Sequence, residues 1–274
     1  MISGELFQSI ADIGLYTEMT DLISNQCHSM PQRLAKISEI TENEISKFKV
    51  IYVYTHFLED FFNKFYDNLA EDTILISHNS DLGIHSNMLR YLEGNKIKLW
   101  FCQNRETSHP KLISIPIGLA NSQWLHGDQN LISGIRNRHN SKTNLVLKNF
   151  DIGTNIGERL HCNNITQQNG IPLSQPMSTE EYWNMLACSV FSISPPGNGI
   201  DCHRIWESLY LRTVPIVKRH EAFSQFKHLP ILFVDSWEEV TLPFLEQKSM
   251  EYIDPIMFDI PLLEIKYWYN IIRK

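Results

Sequence analysis

Phe191-Ser192-Ile193-Ser194-Pro195-Pro196-Gly197-Asn198-Gly199-Ile200-Asp201-Cys202-His203-Arg204-Ile205-Trp206-Glu207 is the stretch that decides the fold. Ser189 to Ile193 is short, apolar and rich in β-branched residues, the pattern of a strand buried on both faces. Pro195, Pro196, Gly197 and Gly199 forbid any regular continuation and bring bare backbone to the surface. Asp201 is placed to cap the helix that follows. A buried strand, a Pro/Gly loop and a helix in immediate succession form the unit from which parallel α/β sheets are built.

That helix sorts its side chains. Cys202, Ile205, Trp206 and Leu209 recur at i, i+3, i+4 and i+7 and form one apolar face. His203 and Arg204 fall elsewhere, near the helix N-terminus, where free N–H groups and the positive end of the dipole also converge. Together with the loop residues Ser194, Pro196, Gly197, Asn198 and Gly199 they predict a seat for an anion, most naturally phosphate. Glu207, one turn further in, suits ribose hydroxyls and not phosphate, so the pattern reads as a nucleoside diphosphate site. The competing reading is a solvated face with an ordinary ion pair. The strand-loop-helix context favours the ligand, because open α/β sheets bind ligands at the carboxyl ends of their strands.

Working outward, the same alternation repeats. Val50–Tyr54, Thr73–Ser77, Lys98–Cys102 and Leu112–Ile117 read as strands, with a Phe-rich helix from Phe57 to Leu69. Leu6, Ile10, Ile13 and Leu15 suggest a short helix, Pro31 a break, and Ile37 to Phe48 a helix with a capping box at Thr41 and Glu44. The stretch 126–142 is polar and turn-rich and marks a boundary. The pattern then restarts with strands at Asn144–Leu147, Ser189–Ile193, Val214–Val217 and Pro230–Val234. Helices begin at Thr154 and at Ser178, and Ser236 caps another. Two successive α/β halves predict two Rossmann-like domains facing a cleft. The expected bounds are 1–130 for the first, 131–252 for the second, and 253–274 for a final helix returning to the first.

The run Ser194-Pro195-x-Gly197, Asp201-x-x-Arg204-x-x-Glu207, then Val214-Pro215-Ile216-Val217, resembles the nucleotide-sugar motif of exostosin-like (family 47 type) glycosyltransferases. The likeness is nearest to the short soluble forms of large algal viruses, which include xylosyltransferases, and extends loosely over residues 50–250. The chain departs from the family at Arg212-Thr213, where a small Gly-Cys type turn is usual. The resemblance implies the GT-B type glycosyltransferase fold, with 1–130 as an acceptor domain and 131–252 as a nucleotide-sugar domain. It also implies an inverting transferase acting on a UDP-sugar, with xylose as the first candidate and a glycan or glycoprotein as acceptor. It would work in the cytoplasm, that of a host cell if the chain is viral.

For such a transfer, Arg204 and Arg159 would offset charge on the departing diphosphate without a metal. Nowhere is there the Asp-x-Asp that a phosphate-bridging divalent ion normally uses, so no metal or other cofactor is expected beyond the UDP-sugar substrate. Inversion needs a general base on the acceptor hydroxyl, and the strand tips of the first half supply candidates: Asp81 first, His78 second. His56, Asn121 and Trp124 are expected on the acceptor side, Trp124 stacking on a sugar ring. Each has a plainer reading, an Asx turn at a strand end or a buried tryptophan.

Composition sets outer bounds. The 274 residues suffice for two modest domains, and a net charge of −7 without a basic run argues against nucleic acid as a partner. Five scattered cysteines, Cys27, Cys102, Cys162, Cys188 and Cys202, hold no Cys-x-x-Cys pair and read as reduced thiols. No apolar stretch reaches the length of a membrane span. Two rivals stand beside the transferase. A sugar-nucleotide epimerase would want an early Gly-x-Gly-x-x-Gly, which is missing; a catalytically inactive nucleotide- or glycan-binding module would bind without turnover.

Overall fold

Continuous apolar runs become buried parallel strands. In the computed structural model, residues 1–18, 33–138, 140–252 and 254–274 are described; Cys27 and the break at Pro31 lie outside them. Residues Met1–Gln123 with Glu264–Lys274 form one α/β unit and Trp124–Leu263 a second.

The first unit is a six-stranded sheet of β1 (Ile13–Tyr16), β2 (Leu34–Lys36), β3 (Val50–Tyr54), β4 (Thr73–His78), β5 (Ile97–Cys102) and β6 (Leu112–Ser114). Their order is β2-β1-β3-β4-β5-β6 and every pairing is parallel. Every residue of β3 and β4 is buried, because helices cover parallel sheets on both faces and no alternation survives. After α1 (Gly4–Gln8), the next helix used here is α2 (Leu58–Phe65). It inserts Leu58, Phe61, Phe62 and Phe65 into the core, each worth about 2 kcal/mol by area. The chain leaves β1 for β2 on one side and returns to β3 on the other. The connections therefore diverge at the carboxyl ends of β1 and β3, where such sheets form a crevice.

The second unit is a four-stranded parallel sheet in the order β10-β9-β8-β7. Its strands are β7 (Asn144–Leu147), β8 (Ser189–Ile193), β9 (Val214–Lys218) and β10 (Leu232–Val234). Its helices are α3 (Gln129–Arg136), α4 (Ile156–Gln168), α5 (Thr179–Ala187), α6 (His203–Tyr210) and α7 (Leu242–Ser249). Phe191 and Ile193 of β8 meet Phe150, Cys162, Val214, Ile216 and Trp237 in the core. The last helix, α8 (Ile265–Ile272), belongs to the first unit: Trp268 meets the Phe7 ring edge-on at 5.7 Å and Arg273 pairs with Asp12 at 2.8 Å.

Several local expectations are corrected. The helix suggested from Leu6 to Leu15 ends at Gln8, and Ile13–Tyr16 is a strand with all four residues buried. The expected helix from Ile37 to Phe48 is two short turns, Ile37–Glu39 and Glu42–Ile45, although the Thr41–Glu44 capping box is present. The residue capping α6 is Cys202, whose side chain makes no capping bond and donates from Sγ to the Pro195 carbonyl at 3.8 Å. Asp201 instead turns inward and accepts a 2.7 Å hydrogen bond from the Trp206 indole, which fixes the buried ring. Among the described residues no helix is long and apolar enough to cross a membrane.

Candidate functional site

The Pro/Gly loop leaves β8 at its carboxyl end and is held from both sides. Ser194 N–H donates to the Ile216 carbonyl at 3.0 Å, and its hydroxyl donates to the Ser192 carbonyl at 3.2 Å. Gly197 N–H donates to the Gly199 carbonyl at 3.0 Å, and Asn155, which caps α4, donates from Nδ2 to the Gly197 carbonyl at 2.8 Å. Gly197 and Gly199 are buried and Asn198 is exposed, so the loop shows less bare backbone than its composition predicts. Gly197 carries no positive φ; its need for glycine is steric, since a Cβ there would lie 3.1 Å from Arg159 Nη2.

Arg159 is buried. Its Nε donates to the Pro196 carbonyl at 2.9 Å and its Nη1 to the Asp151 carbonyl at 2.7 Å. The neighbouring Glu158, its plainest partner in sequence, pairs instead with Lys218 at 3.0 Å and accepts from Trp237. Arg159 therefore ties α4 and the residues after β7 to the loop. Arg204, in the first turn of α6, lies beside it: both guanidiniums sit 5.9 Å from the Phe150 ring centre. Burial and the charge of Arg204 hold Arg159 below its ordinary value. Burial pulls Arg204 down too, but Tyr182, Cys202 and Glu207 outweigh it and hold the guanidinium above its usual range. Arg204 Nε is buried and has no hydrogen-bond partner among the described residues. An unsatisfied charged donor costs folding free energy unless an acceptor arrives.

Glu207 is the carboxylate of this cluster. It is buried and accepts from the Tyr182 hydroxyl at 3.3 Å. Burial raises its carboxyl above the ordinary value, against the pull of Arg204 and of hydrogen bonds. Burial, with Glu207 adding to it, likewise pushes the Tyr182 phenol well up, so Tyr182 stays a donor. At the start of α6 the side chain of the capping residue, Cys202, makes no hydrogen bond to the first-turn N–H groups. Beside the loop a cavity of about 260 Å³ is lined by Ser194, Pro196, Ile200, Lys218 and His220 among others. Ligand pockets run from about 300 Å³ upward, so this cavity suits one ring of a ligand and not a whole nucleotide sugar.

His203 lies at the same helix start, its ring 6.3 Å from that of His126, which stacks with Trp124 at 6.3 Å. Trp124 and His126 are exposed and belong to the second unit. Partial burial holds the His126 imidazole below its ordinary value, so it is neutral at pH 7. The structure thus brings His126 to the start of α6, with Trp124 stacked beside it.

In the first unit the candidates separate. His78 ends β4 with no exposed surface. Its Nδ1 accepts the Asn79 N–H at 2.7 Å, its Nε2 is 3.1 Å from the Pro116 carbonyl, and its ring stacks on Phe7. Both nitrogens are engaged and no hydroxyl can reach them, which corrects its expected role as a base. Asn121 is similarly committed: it accepts from Glu5 N–H and donates to Asn79 Oδ1. Asp81 is exposed in the turn after β4, and its carboxylate makes no hydrogen bond or ion pair among the described residues. His56, just past β3, is exposed with its ring against Phe57, and partial burial lowers its pKa. Because Tyr54 pairs with His78 in the sheet, His56 and Asp81 follow adjacent strand ends.

Phe150 and Tyr182 carry no sequence signal for this site. Phe150 stands after β7 and Tyr182 on α5, and only packing brings them to Arg204. Among the described residues no group of three or more His, Cys, Asp or Glu could hold a metal ion. Cys102, Cys162, Cys188 and Cys202 are free thiols, and burial pushes Cys162 up to about 12, against the pull of Lys148.

No family model matches the chain, and no curated protein matches it. Two solved structures are similar in chain path. One is an alpha-glucosyltransferase in complex with UDP-glucose and DNA containing an abasic site, 9% identical over 96% of this chain and 100% of that one, with a TM-score of 0.35. The other is an alpha-glucosyltransferase in complex with UDP and a 13-mer DNA containing a HMU base, 8% identical over 94% of each chain, also with a TM-score of 0.35. At these levels the likeness carries over neither side chains nor chemistry.

Proposed function

We propose that the chain is a glycosyltransferase that takes its sugar from a UDP-sugar, with UDP-xylose the first donor to try, and passes it to a glycan hydroxyl with inversion and without a metal. The observation that carries this reading is the pair of buried guanidiniums, Arg159 and Arg204, set against Phe150 at the Pro/Gly loop with one Arg204 nitrogen unsatisfied. A diphosphate supplies an acceptor oxygen for that nitrogen and further negative charge against the two guanidiniums. Glu207, one turn into the helix, takes a ribose hydroxyl as donor, with Tyr182 holding its other face.

In the reaction the acceptor oxygen attacks the anomeric carbon, its proton passes to Asp81, and the bond from that carbon to the diphosphate oxygen breaks with the electron pair leaving on UDP. Asp81 is the base in this reading because its carboxylate is exposed and unspent; His56, neutral and accessible, is the other accessible base. The charge that grows on the β-phosphate is met by Arg204, by Arg159 and by the start of α6, groups already fixed before the reaction. The sugar rests near Trp124 and His126.

The test is calorimetry and UDP release with UDP-xylose, UDP-glucose, UDP-glucuronate, UDP-N-acetylglucosamine and GDP-fucose, with and without chelator. Chelator-insensitive binding of one UDP-sugar, lost in Arg204→Ala, with slow UDP release, supports the reading and names the donor. Binding with no release across a panel of acceptors makes the chain an inert binding module. No binding at all returns residues 191–207 to a structural turn.

A further inference from the structure

The opposite edge of the second sheet carries a different feature. Lys142, Ala187 and Arg212 each stand two residues before a strand, β7, β8 and β9 respectively, so they mark the amino ends of three parallel strands. A five-residue strand spans about 16 Å, which separates this edge from the Pro/Gly loop. Here a cavity of about 490 Å³ opens. Arg136, Arg138, Lys142 and Arg212 supply its charged lining, and Val190, Leu211, Val214, Met250, Tyr252 and Phe258 its apolar lining. Among the described residues no carboxylate lines it.

The four cations differ in how they are held. Arg136 donates to the Tyr210 carbonyl and lies over the Tyr210 ring at 4.5 Å. Lys142 Nζ donates to the Ala187 carbonyl at 2.9 Å and to Thr213 Oγ1 at 3.0 Å. The side chains of Arg138 and Arg212 are exposed and make no hydrogen bond or ion pair among the described residues. Burial, with Arg212 adding to it against Cys188, lowers the Lys142 ammonium to about 8. Arg212 and Lys142 disfavour one another's charge, and among the described residues lining the cavity no carboxylate offsets them, so an anion there would be stabilised.

Arg212 is also a costly residue where it stands. Its φ is +61°, in the left-handed region. The Arg212 N–H donates to the Leu209 carbonyl at 3.2 Å and the Thr213 N–H to the Ser208 carbonyl at 2.8 Å, the two bonds of a Schellman ending to α6. Glycine is the usual residue at that position, and a side chain there costs about 1 kcal/mol. The fold gains nothing from the arginine, whereas the cavity gains a cation.

We propose that this cavity is a second ligand site, for an amphiphile with an acidic head group, carboxylate or phosphate, on an apolar body. The head sits between Arg138, Arg212 and Lys142, and the body lies along Val190, Met250 and Phe258. The site is independent of the UDP-sugar reading and stands whether or not that reading holds.

The probes are dodecyl phosphate, laurate, dodecanol and inorganic phosphate, titrated calorimetrically and by displacement of bound 8-anilinonaphthalene-1-sulfonate, with UDP as a further competitor. Dodecyl phosphate or laurate is expected to bind at least tenfold tighter than dodecanol or inorganic phosphate, and which of the two binds tighter names the head group. Arg212→Gly is the decisive variant, because glycine suits the left-handed turn. It is expected to keep or raise the melting temperature while weakening the acidic amphiphile tenfold, and Arg138→Gln is expected to add to that loss. UDP is expected not to displace the probe. Dodecanol binding as tightly as the acids, an Arg212→Gly chain binding as tightly as the parent, or displacement by UDP would each overturn the proposal.

Discussion

Two strand tips of this chain are rich in polar residues, and they are built to opposite ends. At the carboxyl end of β4, His78, Asn79 and Asn121 bond to one another, to the Pro116 carbonyl and to the start of α1. Glu5 closes the same network by accepting from both the backbone and the hydroxyl of Ser122. Beyond β8, two guanidiniums crowd one ring, and Arg204 keeps an unpartnered donor under cover. The first tip is satisfied by the chain itself, and the second leaves a demand that a ligand can meet. Residue type alone does not separate the two; what separates them is how much hydrogen-bonding capacity the fold has already used.

The largest effect that breaks or confirms this contrast comes from Asp81 and His78 together. Asp81→Asn is expected to lower kcat by about 10²- to 10⁴-fold, the range for a lost general base, with UDP affinity and melting temperature unchanged. His78→Ala is expected to do the reverse: it removes a buried, stacked and doubly bonded ring, costs about 3 kcal/mol in denaturant unfolding, and lowers activity only in proportion to the folded fraction. Full activity in Asp81→Asn moves the base to His56, which His56→Gln then tests by the same kcat readout.

A smaller effect sharpens the other side. Arg204→Met keeps the stem and removes the charge. It is expected to weaken UDP by on the order of 100-fold, the scale of about 3 kcal/mol for a buried charged contact, while uridine without phosphate binds as before. Arg159→Met is expected to cost both affinity and stability, because Arg159 holds the Pro196 and Asp151 carbonyls as well as facing the ligand. Equal loss of uridine and UDP in Arg204→Met would show that the loop, and not the charge, carries binding.

Some of this was legible in the residues and some was not, for reasons particular elements make plain. Val50–Tyr54 and Ser189–Ile193 are strands at the expected bounds, because a strand covered on both faces leaves an unbroken apolar run. Asn144–Leu147 is also a strand at the expected bounds, as a partly buried edge strand. β1 escaped: Ile13-Gly14-Leu15-Tyr16 follows a helix so closely that its apolar residues continue a helical spacing. β2 is three residues long, too few for a period. The loop and helix start at 194–204 could be read from proline, glycine and arginine positions. The burial of Arg159, the use of Phe150 as a shared face and the bond from Tyr182 could not, because each depends on which elements meet across the sheet. The turn at Arg212 shows the opposite case: the sequence lacks the small residue of the resembling family, and the backbone adopts the glycine-type turn regardless.

The smallest effect belongs to Glu207, where the two kinds of tip overlap: a carboxylate bonded by the chain and also offered to a ligand. Its carboxyl is raised in the folded state, chiefly by burial. Below the unfolded value of about 4.5 both states hold the proton and nothing is lost. As pH rises through the window between the unfolded and folded values, the unfolded chain ionises first, so the native state becomes relatively less stable and stays so above it. Glu207→Gln removes that loss. Its stability relative to the parent is expected to rise as pH climbs from 4 to 8, read as a growing gap between the two urea midpoints. The same variant is expected to weaken UDP about tenfold, because an amide is a poorer acceptor than a carboxylate for ribose hydroxyls. A gain in stability paired with a loss in affinity is the signature of a residue kept for its ligand at the fold's expense. A stability gap that closes with rising pH, or an unchanged affinity for UDP, would place Glu207 with His78 among the residues the chain keeps for itself.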